Sequence, residues 1–217
     1  MHTTSPPMNS DPRRLPLPVL RELHALALRD SVTAVRRITA ADLARPTPCA
    51  AWTLGDLLAH MTAQHRGFAA AARGDGADRA HWALPRPGPD PVADHAAAAG
   101  EVIAAFAAVG DPGSPFTLAD LPAAPTVPAR RAIGFHLVDC VVHGWDVSRA
   151  LDLPYAPGPD VLRAALPVAE AVPDDGRRTA PGSTFRPALP ADGDGGPLER
   201  ILTLLGRSPS WTAAAPC

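Results

Sequence analysis

Four polar residues that could bind a metal ion lie within one short stretch of the chain, GFHLVDCVVHGWDVSRALDL, residues 134–153. They are His136, Asp139, His143 and Asp146, spaced by three, four and three residues. At 3.6 residues per turn, this spacing places all four on one face of a helix. A carboxylate and an imidazole one turn apart, such as those of Asp139 and His143, can bind one divalent metal ion through oxygen and nitrogen.

A solvated surface is the alternative interpretation of this helix face. The apolar residues of the same helix centre on roughly the opposite side, and they are Ile133, Leu137, Val138, Val141 and Trp145. A solvated face normally carries Lys, Glu and Arg, whereas this face carries His and Asp with Cys140 at its edge. On this helix alone, a solvated face and a ligand or catalytic face remain equally open.

A metal site here needs a third ligand from another element, because two side chains hold a metal ion poorly. His60, in the segment LLAHM, lies in a second helical pattern that a bundle can place beside the first. By itself, a histidine in such a helix is more often a structural residue. His136 is an alternative third or fourth ligand, and is otherwise expected to line the pocket.

Asp146 also has two interpretations. It lies three residues before Arg149, so a local ion pair is one of them. It also lies three residues after His143, and orienting a ligand histidine is the other. His136 and Asp146 are the predicted catalytic residues. The remaining histidines have no partner at a meaningful spacing and are interpreted as surface or core residues: His24, His65, His81 and His95.

The elements that would position these residues are helices. Apolar positions recur at helical spacing over residues 17–39, from Thr53 to about Gly74, over 92–109 and over 128–151. Thr53 and Asp56 form an approximate capping box at the start of the second helix. Strict alternation of apolar and polar residues is nearly absent. The sequence therefore predicts a mainly α protein built as a four-helix bundle.

Three parts of the chain are predicted. Residues 1–16 are rich in Pro, Ser and Thr and are expected to be disordered. Residues 17–152 form the metal-binding bundle, and residues 153–217 form a small C-terminal appendage. The appendage is expected to contain a short helix interrupted by Pro167, an extended or hairpin-like segment over 181–196, and a short amphipathic helix around Ile201 and Leu205.

Composition excludes several functional classes. The formal net charge of -2 and a pI near 6.4 provide no basic field for nucleic acid. No long apolar run or signal-peptide pattern occurs, so we expect a cytoplasmic protein without a membrane partner. The cysteines at 49, 140 and 217 are far apart and are interpreted as reduced thiols.

Three motifs together carry a family resemblance: TPCAAWTLGDLLAHM, GFHLVDCVVHGWDVSRAL and LERILTLLGRSPSW. In this order they resemble actinobacterial proteins of the mycothiol-dependent maleylpyruvate isomerase type, within the DinB/YfiT-like metal-binding superfamily. The resemblance implies a four-helix bundle with a divalent metal, usually zinc, held by the second and fourth helices. Nickel and iron are alternatives. His60 and His143 match the first and last ligands, and Asp139 stands where the isomerase type has Glu.

The resemblance also implies a reaction. A low-molecular-weight thiol such as mycothiol would bind at the metal, lose its proton and attack a small electrophilic substrate. Loss of the thiol after bond rotation gives isomerisation, and its retention gives S-transfer. A metal-dependent hydrolase and a non-catalytic protein that binds metal or a small molecule remain alternatives. The apolar face of the fourth helix is a candidate surface for a homodimer.

Overall fold

Helices dominate a computed structural model of the protein. The structure describes residues 15–49, 52–85, 88–121, 125–180, 183–190 and 195–213. Within these ranges the α-helices are α1 (Leu17–Val35), α2 (Leu54–Arg73), α3 (Pro91–Ala108), α4 (Ala129–Ala150), α5 (Pro159–Glu170) and α6 (Pro197–Leu204). Two short strands, β1 (Pro115–Thr117) and β2 (Thr126–Pro128), precede α4. The predicted mainly helical class is confirmed.

The four long helices pack against one another around two clusters of buried apolar residues. α1 lies along α4 and α2 lies along α3, while α5 packs against both α4 and α6. Large side chains that are almost completely buried fill the bundle, including Leu28, Phe106, Ile133 and Leu137. Burial of this apolar surface is the main stabilising contribution of such a core.

Helix α2 begins as predicted. The hydroxyl of Thr53 accepts a hydrogen bond from the backbone N–H of Asp56, and the carboxylate of Asp56 accepts one from the N–H of Thr53. This capping box satisfies two N–H groups that have no partner within the helix. The helix ends at Gly74, whose φ of 94° is the left-handed conformation that glycine adopts without steric cost.

Helix α1 is shorter than predicted. It ends at Val35 rather than near residue 39. The cause is a second local cap, in which the Asp42 carboxylate accepts hydrogen bonds from the backbone N–H and the hydroxyl of Thr39. This cap starts a separate 3₁₀ turn over Ala40–Ala44.

Helix α5 continues through Pro167, so the predicted interruption is wrong. Proline in a helix removes one backbone N–H donor. The helix persists because one side of it, Val161, Ala164, Ala165 and Ala169, is buried in the core. Tertiary packing of an amphipathic face supplies most helical stability in proteins.

The only strands among the described residues lie between α3 and α4. β1 and β2 pair antiparallel, with Phe116 opposite Val127. The segment over 181–196, predicted as extended or hairpin-like, shows no strand at its described residues, 183–190 and 195–196. Of the predicted disordered N-terminus, residues 1–14 lie outside the described residues. None of the described helices is long and apolar enough to cross a membrane.

Helix α4 is enclosed on nearly all sides. Its apolar residues Ile133, Leu137 and Val141 have no exposed surface, and neither have His136 and Asp146 on the polar face. The interpretation of that polar face as solvated is therefore wrong. The apolar residues of the other face are also buried within the chain, and the homodimer stays a prediction.

Candidate metal centre

Three predicted ligands meet between α2 and α4. His60, Asp139 and His143 each offer one ligand atom, and these atoms all lie within 4.8 Å of one another. Nε2 of His143 is 3.4 Å from Oδ1 of Asp139. The rings of His60 and His143 meet edge to face, with centroids 5.2 Å apart. The structure thus places His60 beside Asp139 and His143, the pair that the helical spacing indicated.

Trp52 supports the histidine on α2. Its indole lies against the His60 ring, with centroids 4.7 Å apart, just before the cap that starts α2. His60 is half-buried, on the flank of its helix. No spacing rule relates Trp52 to the ligands, and the sequence analysis did not single it out.

Asp146 orients the histidine on α4. Oδ2 of Asp146 lies 2.9 Å from Nδ1 of His143, which leaves Nε2 facing Asp139. The predicted local ion pair with Arg149 does not form. Arg149 instead donates to the carbonyl of Pro209 at 2.8 Å, and its guanidinium lies 5.7 Å from the centroid of the Trp145 ring.

Arg207 is a second residue near the ligands that no spacing pattern indicated. It follows α6 at Gly206, whose φ of 75° directs the chain back toward the bundle. The guanidinium of Arg207 is 5% exposed and lies 3.4 Å from the carboxylate of Asp146 and 3.5 Å from Sγ of Cys49. Arg207 belongs to the motif GRSPSW, which was the only available indication.

The electrostatics of the group favour an ionic His143–Asp139 pair. Burial lowers the pKa of His143, but the carboxylates of Asp139 and Asp146 outweigh burial and raise it to about 9. Burial raises the pKa of Asp139, but His143 outweighs it and holds that pKa below the usual range. Burial and the neighbouring His143 lower the pKa of His60 to about 4. A metal cation would replace the proton on His143.

A cavity of about 1540 Å³ opens beside these residues. Its bundle wall includes His60, Asp139 and His143. The C-terminal appendage also contributes to the lining, over 178–180 and 183–187 and at Gly206 and Arg207. The appendage therefore closes one side of the cavity that contains the candidate ligands.

His136 is directed away from this cavity. It has no exposed surface, and the described cavity-lining residues do not include it. Its Nδ1 lies 2.7 Å from Nε2 of His24, and its Nε2 lies 2.9 Å from Nδ1 of His65. The expected pocket position of His136 is not observed because α1 packs along α4 and covers this part of the helix.

The fold and site together define a helical bundle in which two histidines and one carboxylate face a cavity. The chain belongs to the family described as Mycothiol maleylpyruvate isomerase N-terminal domain, whose sequence model matches residues 24–148. That range contains all three candidate ligands. A DinB-like helical fold is consistent with this family.

Comparisons with individual proteins match more of the chain than the family model does. Two uncharacterised proteins from two strains of Mycobacterium tuberculosis are 29% identical over 176 residues, covering 79% of this chain and 88% of theirs. The crystal structure of the mycothiol-dependent maleylpyruvate isomerase is similar with a TM-score of 0.59 at 16% identity, covering 95% of this chain and 97% of that one. A histidine-to-alanine mutant of such an isomerase gives a TM-score of 0.62 at 15% identity, covering 91% and 92%.

Proposed function

We propose that the chain is a metal-dependent enzyme that uses a low-molecular-weight thiol. The thiol either isomerises a small electrophilic substrate or stays bonded to it through sulfur, which is S-transfer. The observation that carries the proposal is the convergence of His60, Asp139 and His143 on one cavity wall, with ligand atoms within 4.8 Å of one another. The family description and the similar crystal structures name mycothiol, which supports mycothiol as the thiol.

The donor set fits a divalent metal. Oδ2 of Asp139 is buried and has no hydrogen-bond partner among the described residues, although such atoms are rarely left unpaired. Two imidazoles and one carboxylate suit zinc, which we propose, with nickel and iron as alternatives. Three protein ligands leave a coordination position for another molecule. When bound, such a metal lowers the pKa of a thiol that ligates it.

Asp146 acts in this proposal as a positioning residue. With a cation at Nε2 of His143, the Nδ1–H donates to Oδ2 of Asp146 over the observed 2.9 Å. Such a second hydrogen bond fixes the tautomer and the ring orientation of a ligand histidine. Arg207 places its guanidinium 3.4 Å from the buried Asp146 carboxylate and so compensates its negative charge.

The attacking sulfur comes from a second molecule. Burial raises the pKa of Cys49 to about 11 and raises that of Cys140 well above its ordinary value, so neither thiol ionises readily near neutrality. The cavity volume of about 1540 Å³ exceeds the roughly 300–1,000 Å³ of ordinary ligand pockets, which leaves room for a thiol and a substrate together. A reduced thiol pool is typical of the cytoplasm, which we propose as the location.

The proposed reaction is an addition of the thiolate followed by its elimination, and it needs no oxidant. The thiolate adds to one carbon of a polarised double bond, and the former double bond then rotates as a single bond. Expulsion of the thiolate restores the double bond in the isomeric configuration. Protonation of the adduct instead retains the sulfur and gives S-transfer. The cavity lining carries five arginines and three acidic residues, and this excess of positive charge favours a substrate with an anionic group.

The metal content of untagged protein tests the proposal. We compare wild type with His60→Ala and His143→Ala by mass spectrometry, and use the exposed His81→Ala as the matched control. Circular dichroism verifies that each variant is folded. The expected result is one metal ion fewer per chain in the two cavity variants and no change in His81→Ala.

Activity assays then distinguish the alternatives. Wild type should convert electrophilic alkenes only when mycothiol is present, and His60→Ala should lose this activity. Turnover that proceeds with water alone would establish a hydrolase, and stoichiometric metal without turnover would establish a binding protein. Equal metal content in wild type, His60→Ala and His143→Ala would overturn the proposed centre.

A further inference from the structure

Four buried histidines form a layer across the interior of the bundle. This layer does not include the candidate ligands His60 and His143 on the cavity wall. Each long helix contributes one imidazole: His24 from α1, His65 from α2, His95 from α3 and His136 from α4. None of the four has exposed surface. Cores of helix bundles build metal sites from side chains on facing helices in this way.

Three side chains in this layer converge as ligands do. His24, His136 and Cys140 each offer one ligand atom, and these atoms lie within 4.8 Å of one another. Nδ1 of His136 is 2.7 Å from Nε2 of His24 and 3.8 Å from Sγ of Cys140. All three residues are buried.

The layer also holds polar atoms without partners. Nδ1 of His24, Nε2 of His65 and Nε2 of His95 are buried and have no hydrogen-bond partner among the described residues. Four imidazoles in a core therefore have more hydrogen-bonding groups than they satisfy among themselves. Such groups are costly to bury, so packing alone explains the layer poorly. None of these three atoms is among the converging atoms, which are Nε2 of His24, Nδ1 of His136 and Sγ of Cys140.

We propose that His24, His136 and Cys140 form a second metal site, inside the bundle, that binds a soft transition-metal ion, Cu⁺. Nε2 of His24, Nδ1 of His136 and Sγ of Cys140 are its ligands. Thiolate and imidazole ligands suit Cu⁺. The ion displaces the proton of the Cys140 thiol, which leaves to solvent, so that one thiolate and one monovalent cation sum to zero charge. This neutrality favours Cu⁺ over Zn²⁺ in a core where an uncompensated charge is costly.

The hydrogen bond on the far side of His136 supports this assignment. With Nδ1 on the metal, the Nε2–H of His136 donates to Nδ1 of His65 at the observed 2.9 Å. Ligand histidines usually donate their second ring N–H in this manner. Metal–nitrogen bonds of about 2.0–2.1 Å, with three ligands arranged at about 120°, place two nitrogens about 3.5 Å apart. His24 and His136 therefore move apart from 2.7 Å when the site is loaded.

Titration with Cu⁺ tests the second site without relying on activity. All proteins carry His60→Ala and Cys217→Ser, which removes one cavity ligand and the thiol of the last residue. They are refolded anaerobically with Cu⁺ and a competing chelator, because the layer is closed to solvent. Cys140→Ser and His24→Gln are compared with Cys49→Ser, which changes a cysteine on the cavity wall.

The expected result is one Cu⁺ per chain in the parent and in Cys49→Ser, with affinity at least about 100-fold weaker in Cys140→Ser and His24→Gln. X-ray absorption of the loaded parent should show one sulfur and at least two nitrogen ligands. Circular dichroism checks each metal-free variant, and Cys140→Ala and His136→Gln replace any variant that does not fold. Binding that is unchanged by Cys140→Ser and Cys140→Ala, or a parent that takes up no Cu⁺, would show that the layer is a metal-free network. Neither result depends on the cavity centre, which His60→Ala has already disabled.

Discussion

Arg207 and Asp146 form a buried ion pair across 61 residues of sequence, with Nη2 of Arg207 3.4 Å from Oδ2 of Asp146. The same oxygen lies 2.9 Å from Nδ1 of His143. The C-terminal appendage is thereby connected to a candidate metal ligand through one carboxylate. A change at either end of this connection should affect both the site and the attachment of the appendage.

Replacing Asp146 should weaken metal binding without removing a ligand. In Asp146→Asn the amide oxygen can still accept from His143, but the negative charge that holds the imidazole is lost. We expect affinity for Zn²⁺ to fall by about 10- to 100-fold, as for other partners of ligand histidines. Competition with a chelator measures it, and the exposed Asp152→Asn serves as control. Equal Zn²⁺ affinity in Asp146→Asn and wild type would contradict the positioning role.

Replacing Arg207 should destabilise the protein. Arg207→Met preserves much of the side-chain volume but leaves the Asp146 carboxylate without its nearby cation. Breaking a buried ion pair typically lowers the free energy of unfolding by about 3–5 kcal/mol. We expect a loss of about 3 kcal/mol, because Asp146 keeps its contact with His143. Urea unfolding measures the change. Arg200→Met, an exposed arginine on α6, should change the free energy of unfolding by less than about 0.5 kcal/mol. A similar effect of both substitutions would argue against the ion pair.

Local patterns were sufficient for much of the fold and for the shared helix face. Thr53 and Asp56 marked the start of α2 because capping depends on residues three apart. Asp139 and His143 were placed one turn apart because residues four apart are neighbours on a helix. Such relations hold within a single helix and need no knowledge of its neighbours.

Contacts between distant segments could not be predicted in this way. The pairing of Asp146 with Arg207 depends on how the appendage folds back after Gly206. His24 and His136 are 112 residues apart, and no spacing distinguishes them from isolated core histidines. His136 was assigned to the cavity because helix geometry gives its angle on α4 but not which neighbour covers it.

Two helical glycines should respond in opposite directions to alanine. A Cβ at Gly67 on α2 would overlap the indole ring of Trp82, whereas a Cβ at Gly100 on α3 meets nothing within 4 Å. We expect Gly67→Ala to destabilise by about 1–3 kcal/mol because the core is overpacked. Gly100→Ala should stabilise by up to about 1 kcal/mol through helix propensity. Thermal unfolding measures both, and a stabilised Gly67→Ala would show that Trp82 is not held against α2.

The histidine layer should limit the stability of the metal-free protein in acid. Burial lowers the pKa of His95 and of His136 to about 4, from an ordinary value of 6.5. Between pH 6.5 and about pH 4 these histidines bind protons in the unfolded chain but not in the folded chain. The free energy of unfolding therefore decreases as the pH falls through this range. Each histidine contributes up to about 1.4 kcal/mol per pH unit.

His143 should produce the opposite dependence on the alkaline side. The raised pKa of His143, about 9, means that its stabilising contribution is complete below 6.5 and is lost as the pH rises toward 9. Metal-free protein should therefore be most stable near pH 6.5. Urea unfolding across this pH range measures the profile. His95→Gln should reduce the acid slope and His81→Gln should not, because His95 is buried in the layer and His81 is exposed. An acid slope that His95→Gln leaves unchanged would mean that groups outside the layer control acid unfolding.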